Sequence, residues 1–341
     1  MSLTIPKKLN KGDTIGFISP SAGLAPFAMH RIKRAVKLFN KLGYKIKIGK
    51  SALKNNGYVS ASASERAQDI HDMFRDKKVK MVIATIGGNH SNQLLKYLDY
   101  NLIKNNPKIF MGYSDNTVLH YALQSQSNLS TYYGPCAMTQ FGEYQSILEY
   151  TLEYFNFAVS EEKGRSNYEI TSSKIWTEEF LDWFQKKDET RPRKLKKSTG
   201  YEWLVGGCAE GEMLGGAIPS INHLAGTKYW CNPKGKIFFI DIPEGKLPSD
   251  GFPLSELDAF LADLDNIGLF DSIKGLIIGR PYKYSAEQVQ ELKKMILKYA
   301  GKKKCPILYN VNIGHADPIA TFRFGSRVGL DSSQNSFRII S

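Results

Sequence analysis

The sequence predicts an α/β fold with two domains, and three observations favour it. In the first half of the chain, short apolar runs alternate with segments of helical period, which is typical of a doubly wound, mainly parallel sheet built from βα units. Strand and helix patterns resume after a polar, Lys-rich stretch. The 341 residues, 42% of them hydrophobic, are enough for two cores. We expect an N-terminal α/β domain over 1–160, a connecting segment over 161–205 that bears tryptophans, and a C-terminal α/β domain with a mixed sheet over 206–341.

Each element of the first half has a local signal. The predicted strands are Thr14–Ile18, Lys45–Ile48, Val79–Ile86 and Lys108–Met111. The predicted helices are Ala25–Leu42, Ser62–Arg75, Ser91–Leu98 and Asn116–Gln124. Gly43 follows the first helix as a C-cap glycine does, and Ser62 with Glu65 has the pattern of a capping box at the start of the second.

The second half contains a basic connecting segment and then alternating elements. We interpret the run Arg191–Lys197 as a solvated linker, because it lacks the interleaved aromatics of a nucleic-acid site. The predicted strands beyond it are Lys236–Asp241, Gly275–Ile278 and Ile307–Val311, and the predicted helices are Leu254–Leu264 and Ala286–Tyr299.

Composition narrows the class of protein. The net charge of +13 is spread along the chain, and no leader pattern or run of eighteen uncharged apolar residues occurs, so we expect a cytoplasmic protein without a membrane or nucleic-acid partner. The four cysteines form no C-x-x-C pair, which favours reduced, mostly buried thiols over a disulfide framework or a zinc site.

Ser114 is the main candidate for chemistry in the first half. It lies where the apolar run 109–111 meets a turn at Gly112 and an apolar-periodic segment follows. A strand-to-helix turn of this kind presents a serine hydroxyl as nucleophilic serines are presented. A hydroxyl is a weak nucleophile, so this hypothesis needs a base, an acid that orients the base, and donors for an oxyanion.

His315 has the most suitable position for a base. It follows the predicted strand Ile307–Val311 in a turn bounded by Gly314 and Pro318, and not on a helix face. The other histidines are interpreted as surface or core-edge residues (His30, His71, His120) or left open as substrate contacts (His90, His223).

The acid and the oxyanion donors have less specific signals. Asp241 ends an apolar run, where a carboxylate needs a partner, although a solvent-facing aspartate would look the same and Glu244 competes for the role. The N–H of Asp115 and the Gly-Gly turn 86–89 could donate to an oxyanion. A Gly-Gly turn after a strand also begins many phosphate-binding loops, so this motif alone does not distinguish an oxyanion hole from a phosphate site.

Short motifs occur along nearly the whole chain, at 16–21, Gly87-Gly88-Asn89, 112–115, Tyr133-Gly134-Pro135, 211–216, 224–227 and Gly314-His315. In this order and spacing, the set resembles the LD-carboxypeptidase family of serine peptidases, and especially its microcin C self-immunity branch.

The resemblance implies two domains with the active site in the cleft between them, a homodimer, and no cofactor or metal. It implies that Ser114 is the nucleophile, His315 the base, and the N–H groups of Gly88 and Asp115 the oxyanion hole. The family's acid is a glutamate at the end of a strand, where this chain has Asp241. An aspartate is one methylene shorter, although it serves this role in most triads.

Candidate substrate contacts also come from the resemblance: Asn89 in the Gly-Gly turn, and Trp176 and Trp183 in a segment like the Trp-bearing insertion of the microcin branch. An aromatic there could stack on a nucleobase, or both tryptophans could anchor the segment to the core. Two further departures, Ala217 in place of asparagine and Arg323 in place of proline, could reshape the pocket.

The resulting hypothesis is a serine hydrolase of amide bonds that releases an acidic residue from an aminoacyl-nucleotide mimic, a small peptidyl-nucleotide substrate. The alternative within the family is removal of a terminal D-amino acid from a murein tetrapeptide. Rival classes are a nucleotide- or phosphate-binding protein, an inactive homologue, and an α/β-hydrolase esterase. The esterase is disfavoured because Asn116 stands where its motif requires a second glycine.

Overall fold

The computed structural model describes residues 3–303 and 305–340. The strands of this part are β1 (Thr14–Ile18), β2 (Lys45–Ile48), β3 (Val79–Ala84), β4 (Ile109–Gly112), β5 (Tyr132–Tyr133), β6 (Tyr168–Glu169), β7 (Ile175–Trp176), β8 (Lys196–Lys197), β9 (Glu202–Val205), β10 (Cys208–Ala217), β11 (Ile237–Asp241), β12 (Gly275–Gly279), β13 (Ile307–Val311), β14 (Phe322–Arg323), β15 (Arg327–Asp331) and β16 (Ser336–Ile339).

The α-helices of the same part are α1 (Met29–Lys41), α2 (Ala63–Arg75), α3 (Tyr100–Asn105), α4 (Thr117–Ser127), α5 (Glu149–Val159), α6 (Ile218–Asn222), α7 (Leu254–Asn266), α8 (Leu269–Ser272) and α9 (Ala286–Tyr299). Short 3-10 helices occur at Ala25–Ala28, Ser91–Leu94, Ser114–Asn116, Lys187–Glu189 and Gly301–Lys303. None of these helices is long and apolar enough to cross a bilayer.

The N-terminal sheet has the order β14-β5-β4-β3-β1-β2. Its pairs are parallel except the one between β5 and β14. β3 and β4 are almost continuously apolar and buried, because helices cover both faces of a parallel sheet. The parallel α/β architecture predicted for the first half is confirmed.

One predicted element of this half differs in the structure, and a helix that was not predicted follows it. The predicted helix Ser91–Leu98 is wrong: only a 3-10 turn forms at Ser91–Leu94. The N–H groups of His90 and Ser91 donate to the carboxylate of Asp115, which attaches the start of this turn to the segment after β4. The unpredicted helix α3 begins after Asp99, whose side chain accepts the N–H of Leu102 as an N-cap.

The C-terminal sheet has the order β6-β16-β15-β10-β11-β12-β13-β9 and is mixed, as predicted. β10 to β13 pair in parallel, and the outer pairs are antiparallel. β10 changes partner along its length: Cys208–Glu212 pairs with β15, and Met213–Ala217 pairs in parallel with β11. This pairing brings the end of β10 level with Asp241 at the end of β11.

The two halves share strands and a core. β14, from the last part of the chain, pairs with β5 in the N-terminal sheet, while β6 and β9 of the segment 161–205 join the C-terminal sheet. The largest cluster of buried apolar side chains includes Phe110 of the first half together with Phe239 and Phe322 of the second. A second cluster fills the other face of the N-terminal sheet.

The connecting segment is held to the N-terminal half by Asp188, whose side chain is 1% exposed. This carboxylate contacts His30 Nε2 at 2.9 Å, Arg31 Nη1 at 2.8 Å and Arg34 Nη1 at 2.8 Å. His30, which lies on α1, is therefore a partner of this buried acid. Because these charges satisfy one another away from water, the segment has a fixed place over α1.

Two residues of the run Arg191–Lys197, which we interpreted as a solvated linker, form specific ion pairs, and for the less exposed of them, Arg193, the interpretation is wrong. Arg191 forms two hydrogen bonds with the carboxylate of Glu179, at 2.8 and 2.7 Å. Arg193 is 16% exposed and its Nη2 lies 2.6 Å from Glu143 and 2.8 Å from Asp317. The acids that neutralise these arginines are distant in sequence, so a charge count along the chain could not detect them.

Removing the charge of Asp188 tests the attachment of the connecting segment. In Asp188→Asn, the buried guanidinium of Arg31 loses its carboxylate partner, so we expect the free energy of unfolding to fall by about 3 kcal/mol. Urea denaturation measures this change. The matched control is Glu162→Gln, which breaks a solvent-exposed ion pair with Lys11 and should leave the free energy of unfolding nearly unchanged. Equal losses in both variants would contradict the structural role of Asp188.

Candidate active site

Ser114 occupies a strained turn between β4 and α4. Its φ is +63°, in the left-handed region that a non-glycine residue rarely adopts. Gly112 permits the tight turn, because a Cβ there would lie 2.8 Å from Cγ of Asn116. The hydroxyl of Thr117 donates to the carbonyl of Ser114 at 2.7 Å and accepts the N–H of Ala217 at 3.0 Å. The turn is thus held from both halves of the protein.

The Gly-Gly turn lies directly against Ser114. A Cβ at Gly87 would be 2.9 Å from Cβ and 3.1 Å from Oγ of Ser114, so only glycine fits there. Gly88 has a φ of +144° and leaves no room for a side chain beside Ser21. The carboxylate of Asp115 accepts the N–H groups of His90 and Ser91 at 2.9 Å each. These contacts fix the turn beside the hydroxyl and the backbone N of Asp115.

His315 and Asp241 form a buried pair across the end of the C-terminal sheet. Nδ1 of His315 lies 3.0 Å from Oδ1 of Asp241, and the two side chains are 6% and 0% exposed. Gly314 has a φ of +94°, and a Cβ there would overlap Oδ1 of Asp241 at 1.7 Å. A glycine before the histidine is therefore required for this contact.

The other nitrogen of His315 faces Glu244. Nε2 lies 3.4 Å from Oε2 of Glu244 and has no hydrogen-bond partner within residues 3–303 and 305–340, so it is not bonded to Ser114 Oγ. Burial lowers the pKa of His315, but the negative charges of Asp241, Glu244 and Asp317 outweigh it and raise the pKa to about 9. These neighbouring carboxylates therefore favour the protonated form of His315 at neutral pH.

A cavity of about 240 Å³ opens in front of Ser114 and His315. One wall is aromatic and comes from the connecting segment, with Phe180, Trp183 and Phe184. The guanidinium of Arg31 lies 4.2 Å from the ring centroid of Trp183 and holds that ring in place. Charged side chains complete the lining: Arg31, Glu143, Glu179, Arg193, Glu244 and Asp317.

The structure brings most of the sequence-predicted residues together. Ser114, Gly88, His315 and Trp183 line the cavity, with Asp241 behind His315 and Asp115 beneath the Gly-Gly turn. Two of the sequence-predicted residues, Asn89 and Trp176, lie outside the cavity. Asn89 is exposed and lies outside the cavity lining. Trp176 is also outside it, between Lys196 Nζ at 4.6 Å and the guanidinium of Arg280 at 4.9 Å from its ring centroid.

Sequence reasoning missed the charged group on the cavity floor. Arg193 joins Glu143 and Asp317, and Gln140 donates to Asp317 at 3.0 Å. These residues come from separate segments and form no local pattern. The one available signal was that Asp317 stands two residues after His315. Among the described residues, no group of three or more His, Cys, Asp or Glu side chains could hold a metal ion.

Comparison with protein families finds two matches. Residues 15–134 match the LD-carboxypeptidase N-terminal domain, and residues 210–330 match the LD-carboxypeptidase C-terminal domain. The first contains Ser114 and the second contains Asp241 and His315. The segment that supplies Arg193 and Trp183 lies between the two matches.

Three relatives match over nearly their whole length. YocD of Bacillus subtilis, assigned to the carboxypeptidases, is 34% identical over 97% of this chain and 97% of its own. A B. subtilis protein assigned as a murein peptide carboxypeptidase is 30% identical over 97% and 92%. The microcin C7 self-immunity protein MccF of Escherichia coli is 28% identical over 96% and 93%. The structure of MccF in complex with aspartyl sulfamoyl adenosine gives a TM-score of 0.90 at 27% identity, covering 99% of this chain and 98% of that one.

Replacing Glu244 tests how the charge of His315 is set. In Glu244→Gln the imidazolium loses a neighbouring negative charge, so its pKa should fall below about 9 and the neutral imidazole should predominate at lower pH. An NMR titration of the His315 ring measures this. Glu179→Gln is the matched control, because Glu179 lines the same cavity but is neutralised by Arg191. An unchanged pKa in Glu244→Gln would contradict the assigned contact.

Proposed function

The chain belongs to the LD-carboxypeptidase family, and from this premise we propose that it is a serine hydrolase of amide bonds with Ser114, His315 and Asp241 as its catalytic triad. The observation that carries the proposal is the joint placement of a strained Ser114 and a buried His315–Asp241 pair on one cavity. These residues come from both halves of the chain, so their meeting is not a consequence of local sequence.

The proposed reaction has two steps. Neutral His315 takes the proton of Ser114 Oγ at Nε2 while the oxygen attacks the substrate carbonyl carbon. The N–H groups of Gly88 and Asp115 stabilise the resulting oxyanion. The imidazolium then gives its proton to the leaving nitrogen as the amide bond breaks, which leaves an acyl-enzyme. Water, deprotonated by His315, releases the acid and restores Ser114.

This reaction requires a rearrangement at His315. Nε2 faces Glu244 and must instead accept the proton of Ser114. Loss of the proton from Nε2 removes its attraction to the carboxylate of Glu244. We infer that substrate entry separates these two groups, with Asp241 holding Nδ1 throughout.

For the substrate, we propose an acidic residue joined to a nucleoside-like leaving group. Trp183, Phe180 and Phe184 line the cavity that contains Ser114, and an aromatic wall can stack on a base. The relative MccF has been captured with aspartyl sulfamoyl adenosine, a compound of this class. Removal of a D-amino acid from a murein peptide is the second candidate, because one relative at 30% identity is assigned as a murein peptide carboxypeptidase.

A cytoplasmic location and a homodimer stay predictions.

A phosphate-binding role for the Gly-Gly turn has less support. Such a role needs free backbone N–H groups at the start of the following helix. The N–H groups of His90 and Ser91 at that position already donate to the carboxylate of Asp115. The negative charge of this carboxylate would also repel a phosphate.

The serine mechanism is tested by product analysis of Ser114→Ala. Wild-type protein is offered a murein tetrapeptide and aspartyl sulfamoyl adenosine, and mass spectrometry follows both. We expect wild type to cleave the nucleoside compound and Ser114→Ala to lose at least about a thousandfold in rate, since the nucleophile is absent. Cleavage that persists in Ser114→Ala would exclude the triad, and cleavage of the tetrapeptide alone would select the second candidate.

The aromatic wall is tested by Trp183→Ala. Stacking on a base is worth about 1–3 kcal/mol, so KM for aspartyl sulfamoyl adenosine should rise about tenfold or more. Trp176→Ala is the matched control, because Trp176 lies outside the cavity. If both variants keep the wild-type KM, Trp183 does not bind the leaving group.

A further inference from the structure

Tyr133 joins the nucleophile to the acid through one hydroxyl group. This hydroxyl donates to Oδ2 of Asp241 at 2.5 Å and accepts the backbone N–H of Ser114 at 3.1 Å. A phenol has one donor hydrogen, and here both its donor and an acceptor site are used. The side chain is 1% exposed, so water does not compete for either bond.

The direction of the first bond follows from the surroundings. Burial and the adjacent carboxylate of Asp241 raise the pKa of Tyr133 well above its usual range, so the hydroxyl keeps its proton and donates it. Oδ2 of Asp241 is then bound by Tyr133, while Oδ1 lies 3.0 Å from Nδ1 of His315. The carboxylate is thus fixed at both oxygens.

The second bond supports the strained turn. Ser114 has a φ of +63°, and its N–H donates to Tyr133. The N–H of Ser114 is therefore directed towards the hydroxyl of Tyr133 and is not free to serve an oxyanion, in agreement with the assignment of that role to Gly88 and Asp115. Tyr133 does not line the cavity.

We propose that Tyr133 is a positioning residue that sets the distance between the nucleophile and the His315–Asp241 pair. Ser114 lies after β4 and Asp241 ends β11, in different sheets, whereas Tyr133 lies on β5 and contacts both. This inference rests on the proposed serine mechanism. Its consequence is that the acid and the nucleophile cannot shift independently.

The test is Tyr133→Phe, with Tyr132→Phe as the matched control. Tyr132 is the neighbouring residue of β5, is equally buried, and packs in the other core cluster. The rate of Ser114 labelling by a fluorophosphonate is measured against pH, because this reaction needs no substrate assignment. An NMR titration reports the pKa of His315 directly.

We expect Tyr133→Phe to slow labelling about 10- to 100-fold, the scale of a hydrogen bond to a charged group. Without the phenolic donor, the negative charge of Asp241 is less dispersed, so the pKa of His315 rises and the rate profile moves to higher pH. With a cleavable substrate, kcat falls and KM is unchanged, because Tyr133 does not reach the cavity. Tyr132→Phe should match wild type in all of these measurements.

A second substitution tests the same hydrogen bonds if Tyr133→Phe does not fold. Replacing Tyr133 alone with 3-fluorotyrosine preserves the shape and makes the hydroxyl a stronger donor, so the pKa of His315 should fall. An unchanged pKa of His315 and an unchanged labelling rate in whichever Tyr133 variant folds would overturn the proposal. Failure of wild-type protein to label at Ser114 would instead reject the serine mechanism, so the two failures are distinguishable.

Discussion

The carboxylate of Asp241 imposes the main constraint on this structure. It is fully buried at the end of an apolar strand, where an unpaired charge would be severely destabilising. Its two oxygens are satisfied by Tyr133 and His315, which come from opposite halves of the chain. Gly314 has no side chain because the carboxylate fills that space. The geometry around the acid therefore depends on residues from both sheets.

Most of the charged side chains around the cavity form ion pairs with one another. Glu179 is neutralised by Arg191, and Glu143 and Asp317 are neutralised by Arg193. Glu244 differs from these acids because its close cation is His315, and its side chain is 42% exposed. The carboxylate of Glu244 is thus open to water on one side and faces the imidazole on the other. The arginine pairs shape the cavity, and Glu244 is the acid on it that lies beside the proposed base.

The extent to which the sequence predicted this site depends on how local each signal is. The Ser114 turn and the Gly314-His315 turn were predictable, because a tight turn needs glycine at particular positions. Asp241 was one of two open choices, since a strand end does not show what it faces. The structure places Asp241 on Nδ1 and Glu244 beside Nε2, so both acids contact the imidazole. Arg193 and Glu143 were missed because only the tertiary fold pairs them.

The pairing of β14 with β5 has a consequence for how the protein is made. Phe322 pairs with Tyr133, so the edge of the first sheet is completed by a strand that is synthesised only after β6 to β13. Until β14 has been made, the strand that carries Tyr133 has one open side. A nascent chain that has not yet reached β14 therefore cannot complete the surface on which Tyr133, Asp241 and His315 meet.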